Sequence, residues 1–194
     1  MHAKPLSPTL GTITRRFLLV CVWPVALLQV PAAIAASATA DTPPLQPQRY
    51  SARVTRVFDG DTLWVQPLEG GAPRKLRLLG IDAPEICQDG GIAARDALTQ
   101  RVLRQVVQVQ VDRFDDYGRG LARLTHDETD VSAWLVAQGL AWSYRWRNSL
   151  GPYAEQEAAA RKRRLGVFAD AQAEVPRGFR QRHGPCQLFP VVTP

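Results

Sequence analysis

The 194-residue chain has room for one domain and a tail, and with 45% hydrophobic residues it can bury a core. Its formal net charge is +6, but residues 1–39 carry Lys4, Arg15 and Arg16 and no acid, which leaves 21 basic against 18 acidic residues in the remainder, a net of +3. So mild a balance excludes arguing for a nucleic-acid partner from composition alone; that argument has to come from local clusters.

In chain order, the first feature is an export signal. Arg15-Arg16 supplies a positive start, and Phe17 to Val30 is a nearly unbroken apolar run followed by small residues from Ala33 to Ala40. Residues 1–38 are therefore expected to be a signal peptide, with an uncleaved N-terminal membrane anchor as the alternative. Thr14-Arg15-Arg16-Phe17-Leu18-Leu19 also partly matches a twin-arginine signal, beside the general secretory route. Residues 39–48 are small, polar and proline-rich and read as a linker. The folded domain is expected over 49–175, with 176–194 as a tail.

Tyr50 to Val57, Thr62 to Val65 and Lys75 to Leu79 read as strands, the last with Leu76 and Leu78 on one face and Arg77 on the other. Ile92 to Val106 fits a helix, with Ala94, Leu98, Val102 and Val106 in one stripe. Val107 to Asp112 alternates as a strand, and Leu121 to Thr125 is a fifth. Val131–Gln138 and Tyr153–Arg164 read as helices closed by Gly139 and Gly166. Five short strands with helices between and after them imply an α+β domain, a small closed barrel with helical cover.

Three cysteines are present. Cys21 lies in the apolar run and leaves with the signal. Cys87 and Cys186 remain as an even pair in an oxidising compartment, where a bridge between them is expected; two unrelated buried thiols are the alternative.

The chemistry concentrates in acids and arginines at strand ends. Asp61 opens a strand after the Asp59-Gly60 turn, and Asp82 and Glu85 follow the strand that holds Arg77. Carboxylates from two such rim loops can share one hard cation, since calcium takes oxygen ligands including backbone carbonyls and water. The same aspartates could equally be turn and cap residues. His126 and His183 are isolated and there is no Cys-x-x-Cys, which argues against zinc. Arg77 and Arg119 could converge on a phosphate, whose oxygens match the guanidinium fork. On composition alone they are ordinary surface arginines.

The strings Val57-Phe58-Asp59-Gly60-Asp61-Thr62, Arg77-Leu78-Leu79-Gly80-Ile81-Asp82-Ala83-Pro84-Glu85 and Tyr117-Gly118-Arg119-Gly120-Leu121-Ala122 resemble, in order, three signature blocks of the staphylococcal nuclease family; Gln138 to Trp142 resembles a fourth. The resemblance covers about residues 49–170. It implies a five-stranded OB-fold β-barrel with about three covering helices. It also implies a calcium-dependent nuclease that cuts the P–O5′ bond of DNA and RNA and leaves a 3′-phosphate and a 5′-hydroxyl. By position, Asp61, Asp82 and the backbone carbonyl of Ala83 resemble the calcium ligands, and Arg77 and Arg119 the phosphate-binding pair. Glu85 resembles the general base, Tyr117 a nucleotide-contacting tyrosine, and Tyr144 another whose alignment shifts by one residue. The chain departs from the prototype at Ala83, where a threonine is usual, and at Asp116, where a phosphate-contacting lysine is usual. Segment 87–92 is shorter than the prototype's flexible loop. The tail Arg180 to Cys186 lies outside the core pattern, although its pairing with a cysteine just past Pro84-Glu85 resembles some exported bacterial members.

Trp142, Tyr144, Trp146 and Tyr153 lie near Arg145 and Arg147, where they could stack bases or pack the core. Arg161-Lys162-Arg163-Arg164 suits a helix C-terminus and reads as a solvated face. A nucleic-acid-binding module without catalysis is the competing class, but it has no need of Asp61, Asp82 and Glu85, which repel phosphate unless a cation intervenes. DNA and RNA are the expected partners. No stable protein partner is implied, a monomer is expected, and the membrane matters only if the signal stays attached.

Overall fold

The structure, a computed structural model, describes residues 48–184 together with Cys186. The expected signal peptide, Cys21 and nearly all of the linker lie outside the described residues. The elements are β1 (Gln48–Val57), β2 (Thr62–Pro67), β3 (Arg74–Leu78), the short β4 (Ile81–Asp82), α1 (Gly91–Val102), β5 (Val106–Phe114) and β6 (Gly120–His126). They continue with β7 (Thr129–Asp130), α2 (Val131–Ala137), β8 (Trp142–Ser143), α3 (Ala154–Lys162), a 3-10 turn (Gly166–Ala169) and α4 (Pro176–His183).

Five strands close a barrel. β1 pairs antiparallel with β2 on one side and β5 on the other, β2 with β3, and β5 with β6. A parallel pairing of β3 with β6 completes the ring. The alternation seen in the sequence decides what points inward: Val54, Leu63, Val65, Leu76, Leu78, Val107, Val109, Val111 and Leu124 are all essentially inaccessible. Each large aliphatic buried in this way contributes about 1.5–3 kcal/mol. Leu98 and Val102 of α1 and Leu135 and Val136 of α2 extend the same core at the barrel's flanks.

One expectation needs correction. The helix expected to reach Val106 stops at Val102. Arg104 has φ 66°, and its N–H donates to the Val54 carbonyl at 2.9 Å while the Gln105 carbonyl accepts from Val54 N at 3.0 Å. The chain is thus drawn onto β1, and Val106 begins β5 with its side chain exposed. The three covering helices expected are α1, α2 and α3, and the start of the tail adds α4, with Pro176 in its first turn.

Candidate active site

The site forms where β2, β3 and β4 meet at one rim of the barrel. Thr62 pairs with Arg77 across β2 and β3, and Leu78 N donates to the Asp61 carbonyl at 2.8 Å. The register therefore sets the carboxylate that opens β2 beside the arginine of β3. Gly60 makes the approach possible: a Cβ there would lie 2.7 Å from the Ala83 Cβ and 2.8 Å from the Ala94 Cβ.

Asp61 is 3% exposed and Asp82 6%. Arg77 links them: Nη1 donates to Asp61 Oδ1 at 2.9 Å, and Nη2 lies 2.9 Å from Asp61 Oδ2 and 3.0 Å from Asp82 Oδ1. Thr62 Oγ1 and Ala83 N also donate to Asp61, at 2.9 and 3.3 Å. Asp59 turns back to accept from Asp61 N at 3.0 Å. Burial, and after it the like charge of Asp61, pushes Asp59 up to about 7. Burial also raises Asp82 above the ordinary carboxylate range, against the pull of Arg180 and Arg77. Burial would lower Arg77, yet Asp61, Asp82 and Asp59 together hold it above its ordinary value.

Glu85 sits in a turn locked to α1. Gln88 N donates to the Glu85 carbonyl at 2.8 Å, and Glu85 N donates to Gln88 Oε1 at 3.2 Å. Gly91 lies so close behind that a Cβ would fall 1.9 Å from the Glu85 carbonyl oxygen. The Glu85 carboxylate meets Arg180, a residue of α4: Nη1 lies 2.6 Å from Glu85 Oε1 and 3.1 Å from Asp82 Oδ1, and Nη2 3.2 Å from Asp82 Oδ2. The tail that carries it is bonded to the same loop through Cys87–Cys186, with the sulfurs 2.01 Å apart. The bridge expected from the sequence is thus present.

Arg119 approaches from the other side of the barrel seam. The parallel register pairs Arg77 with Leu121, two residues beyond Arg119. Its Nε donates to Asp115 Oδ2 at 2.7 Å and its backbone N–H to Asp115 Oδ1 at 2.9 Å. Among the described residues its terminal Nη groups form no hydrogen bond, and the side chain is 21% exposed. Burial alone would raise Asp115, but the backbone and guanidinium N–H groups of Arg119 bring it below the usual carboxylate value. Tyr117 is 85% exposed, with Arg119 5.4 Å over its ring. Tyr144 is 40% exposed and, with Trp146, Arg113 and Arg123, lines a groove of about 500 Å³.

Other aromatic and basic candidates resolve differently. Tyr153 and Trp142 are buried, the latter edge-on to Phe168. Arg145 and Arg161 both bind the buried Glu157, each at 2.8 Å. They brace the α3–β8 packing rather than offer a free basic patch.

Among the described residues, no three carboxylate, imidazole or thiolate side chains group as a metal site by themselves. The donors at hand are the carboxylates of Asp61 and Asp82 and the adjoining Ala83 carbonyl, all hard oxygens without sulfur or imidazole. That set fits a cation that completes its shell with water and phosphate oxygen. The charges agree: among the described residues, the ion-pair partners of Asp61, Asp82 and Glu85 are Arg77 and Arg180, and the cluster also holds Asp59.

A closed five-stranded barrel with buried carboxylates and arginines at one rim defines an OB-fold nuclease, a hydrolase of phosphodiesters. Residues 75–170 match the family described as "Staphylococcal nuclease homologue", a stretch that contains Arg77, Asp82, Glu85 and Arg119. A micrococcal nuclease of Shigella flexneri is 36% identical over 143 residues, covering 68% of this chain and 81% of that protein. An uncharacterized endonuclease of Escherichia coli O157:H7 is 35% identical over 133 residues, covering 67% and 84%. The staphylococcal-like nuclease CAN1 of Arabidopsis thaliana is 32% identical over 107 residues, 55% of this chain and 33% of that protein. The chain belongs to the staphylococcal nuclease family.

Proposed function

We propose that the protein is a calcium-dependent nuclease that hydrolyses both DNA and RNA and leaves 3′-phosphate and 5′-hydroxyl ends. The observation that carries this reading is the Asp61–Arg77–Asp82 cluster beside Glu85 at one rim of the barrel. Asp61, Asp82 and the Ala83 carbonyl would hold calcium, which when bound supplies positive charge to a phosphate oxygen. Glu85 takes a proton from the attacking water as the new P–O bond forms and the P–O5′ bond breaks; the departing 5′-oxygen is protonated by solvent. Arg77 and the Nη groups of Arg119 stabilise the charge that gathers on the five-coordinate phosphorus. Tyr117 and Tyr144, both exposed, supply faces for the nucleotide. Asp116, in place of a lysine, weakens the hold on a terminal phosphate and favours internal cleavage.

The disulfide suits a non-reducing compartment. With the N-terminal signal expected from the sequence it supports an exported protein, periplasmic or secreted, organised as signal 1–38, linker 39–48, nuclease domain 49–175 and tethered tail 176–194. The test is to give purified protein plasmid DNA and RNA, with calcium and with a chelator, and to analyse the ends. Cleavage undiminished in excess chelator, or 5′-phosphate products, refutes the reading.

A further inference from the structure

Arg180 is the cation that joins the two halves of the proposed chemistry. Its fork binds both oxygens of Asp82, at 3.1 and 3.2 Å, and its Nη1 also reaches Glu85 Oε1 at 2.6 Å. Among the described residues, Glu85 has no other ion-pair partner. The approach is built rather than casual. Cys186, six residues past Arg180, is bonded to Cys87, two residues past Glu85. Gln88 Nε2 donates to the Glu174 carbonyl at 2.6 Å, and Arg182 pairs with Glu174. Two fastenings thus dock this C-terminal segment on the loop that carries Asp82 and Glu85, and the Arg182–Glu174 pair ties α4 to the segment before it.

A glutamate carboxylate turns about a broad, nearly two-fold terminal torsion, and a base misplaced by about 1 Å can lose on the order of 10²-fold in rate. A planar guanidinium that binds two carboxylates at once fixes their mutual distance and angle, which a water or an ammonium does not. We infer that Arg180 is a positioning residue for the nuclease reaction: from the tethered tail it holds the carboxylates of Glu85 and Asp82 in one relation. This rests on the function proposed above.

The test compares the wild-type protein with Arg180→Ala, Arg180→Lys and the double variant Cys87→Ser/Cys186→Ser. Steady-state cleavage of plasmid DNA gives kcat and KM, calorimetric titration with calcium alone gives an affinity independent of turnover, and melting temperature reports the fold. Arg180→Ala is expected to lower kcat by roughly 10–100-fold, the usual cost of losing a group that orients a site's ligands, with KM within about threefold and calcium affinity no tighter. Arg180→Lys recovers part of the loss, since it keeps the charge without the fork. The double variant, whose tail is no longer covalently tied, loses kcat in the same direction. Arg180→Ala with kcat equal to or above wild type and a tighter calcium affinity overturns the inference, because the arginine would then be a cation that blocks the site. A loss confined to KM also overturns it and makes Arg180 a substrate-binding residue. Wild-type protein that cuts neither DNA nor RNA in calcium would instead refute the proposed function, whatever the variants do.

Discussion

Arg180 Nη1 lies 2.6 Å from Glu85 Oε1, although 95 residues separate the two in the chain. Two arginines from separate elements therefore meet the carboxylates of the rim. Arg77 arrives on β3 and ties Asp61 to Asp82; Arg180 arrives on α4 and ties Asp82 to Glu85. Asp82, shared by both, is the residue through which the barrel and the tail act on one site. Arg119 is held by Asp115 through its Nε.

Calcium should be required for cleavage and should bind at the rim without substrate. Asp61→Asn and Asp82→Asn each remove a charged ligand and should abolish calorimetric calcium binding in the millimolar range or tighter. Magnesium, which demands a tighter octahedron at ~2.0–2.1 Å, should support little cleavage. Retention of calcium binding by both variants would place the cation elsewhere.

Arg77→Lys, Arg119→Lys and Glu85→Gln should each reduce kcat by about 10²–10³ while the protein stays folded. Arg77→Ala should behave differently, because it leaves Asp61 and Asp82 buried without their shared partner. Breaking a buried ion pair costs ~3–5 kcal/mol, and partial exposure of Arg77 puts this case toward the lower end. Chemical denaturation separates the effects: the lysine variant loses rate, and the alanine variant loses rate and stability. Near-normal turnover in Arg119→Lys removes that residue from the mechanism.

The site was legible in the sequence to the extent that it is local. Asp61, Arg77, Asp82, Glu85 and Arg119 stand in three short strings, and strand register does the rest. Arg180 was not legible, because its partners lie 95 and 98 residues away and it stands in a tail outside the core pattern. The only pointer was Cys186: once paired with Cys87, it brings the residues just before it to the Glu85 loop. The overlong helix at 92–106 has a local cause. Val106 continues the helical stripe of Leu98 and Val102, and nothing in the pattern shows that Arg104 adopts positive φ to bond with β1.

Asp115→Ala should loosen Arg119 without removing any group that touches the phosphate. It deletes a charge-assisted hydrogen bond to Nε and the acceptor for the backbone N–H groups of Tyr117 and Arg119. Hydrogen bonds to charged groups contribute ~1.5–3 kcal/mol, so kcat/KM should fall on the order of tenfold or more. An unchanged kcat/KM would show that Arg119 finds its place without Asp115.

Reduction of Cys87–Cys186 should lower the melting temperature. Removing such a bridge costs ~2–5 kcal/mol, and each kcal/mol moves the midpoint of a protein of this size by roughly 2–4 °C. A drop of about 5 °C or more is expected, and free-thiol counting on the oxidised, denatured protein should find neither Cys87 nor Cys186 free.

The last prediction concerns alkaline pH. Tyr153 is 8% exposed at the entrance to α3, and its hydroxyl donates to Asp130 Oδ2 at 3.0 Å. Asp130 in turn caps α2 by accepting from Ala133 N at 3.0 Å, so one carboxylate ties the two covering helices together. Burial, and then the negative charge of Asp130, pushes the Tyr153 phenol up to about 12. In the unfolded chain the same group titrates near ~10. The sign follows from this difference. A phenol held protonated by the fold contributes stability fully below the unfolded value, and that contribution is lost as pH rises from about 10 through the folded value. Unfolding free energy measured in urea from pH 8 to pH 11 should therefore fall more steeply above pH 10 in the wild-type protein than in Tyr153→Phe. The variant should be less stable at pH 8, having lost the hydrogen bond to Asp130, and the gap should narrow as the pH climbs. Parallel curves for the two proteins across that range would show that Tyr153 does not set the alkaline limit.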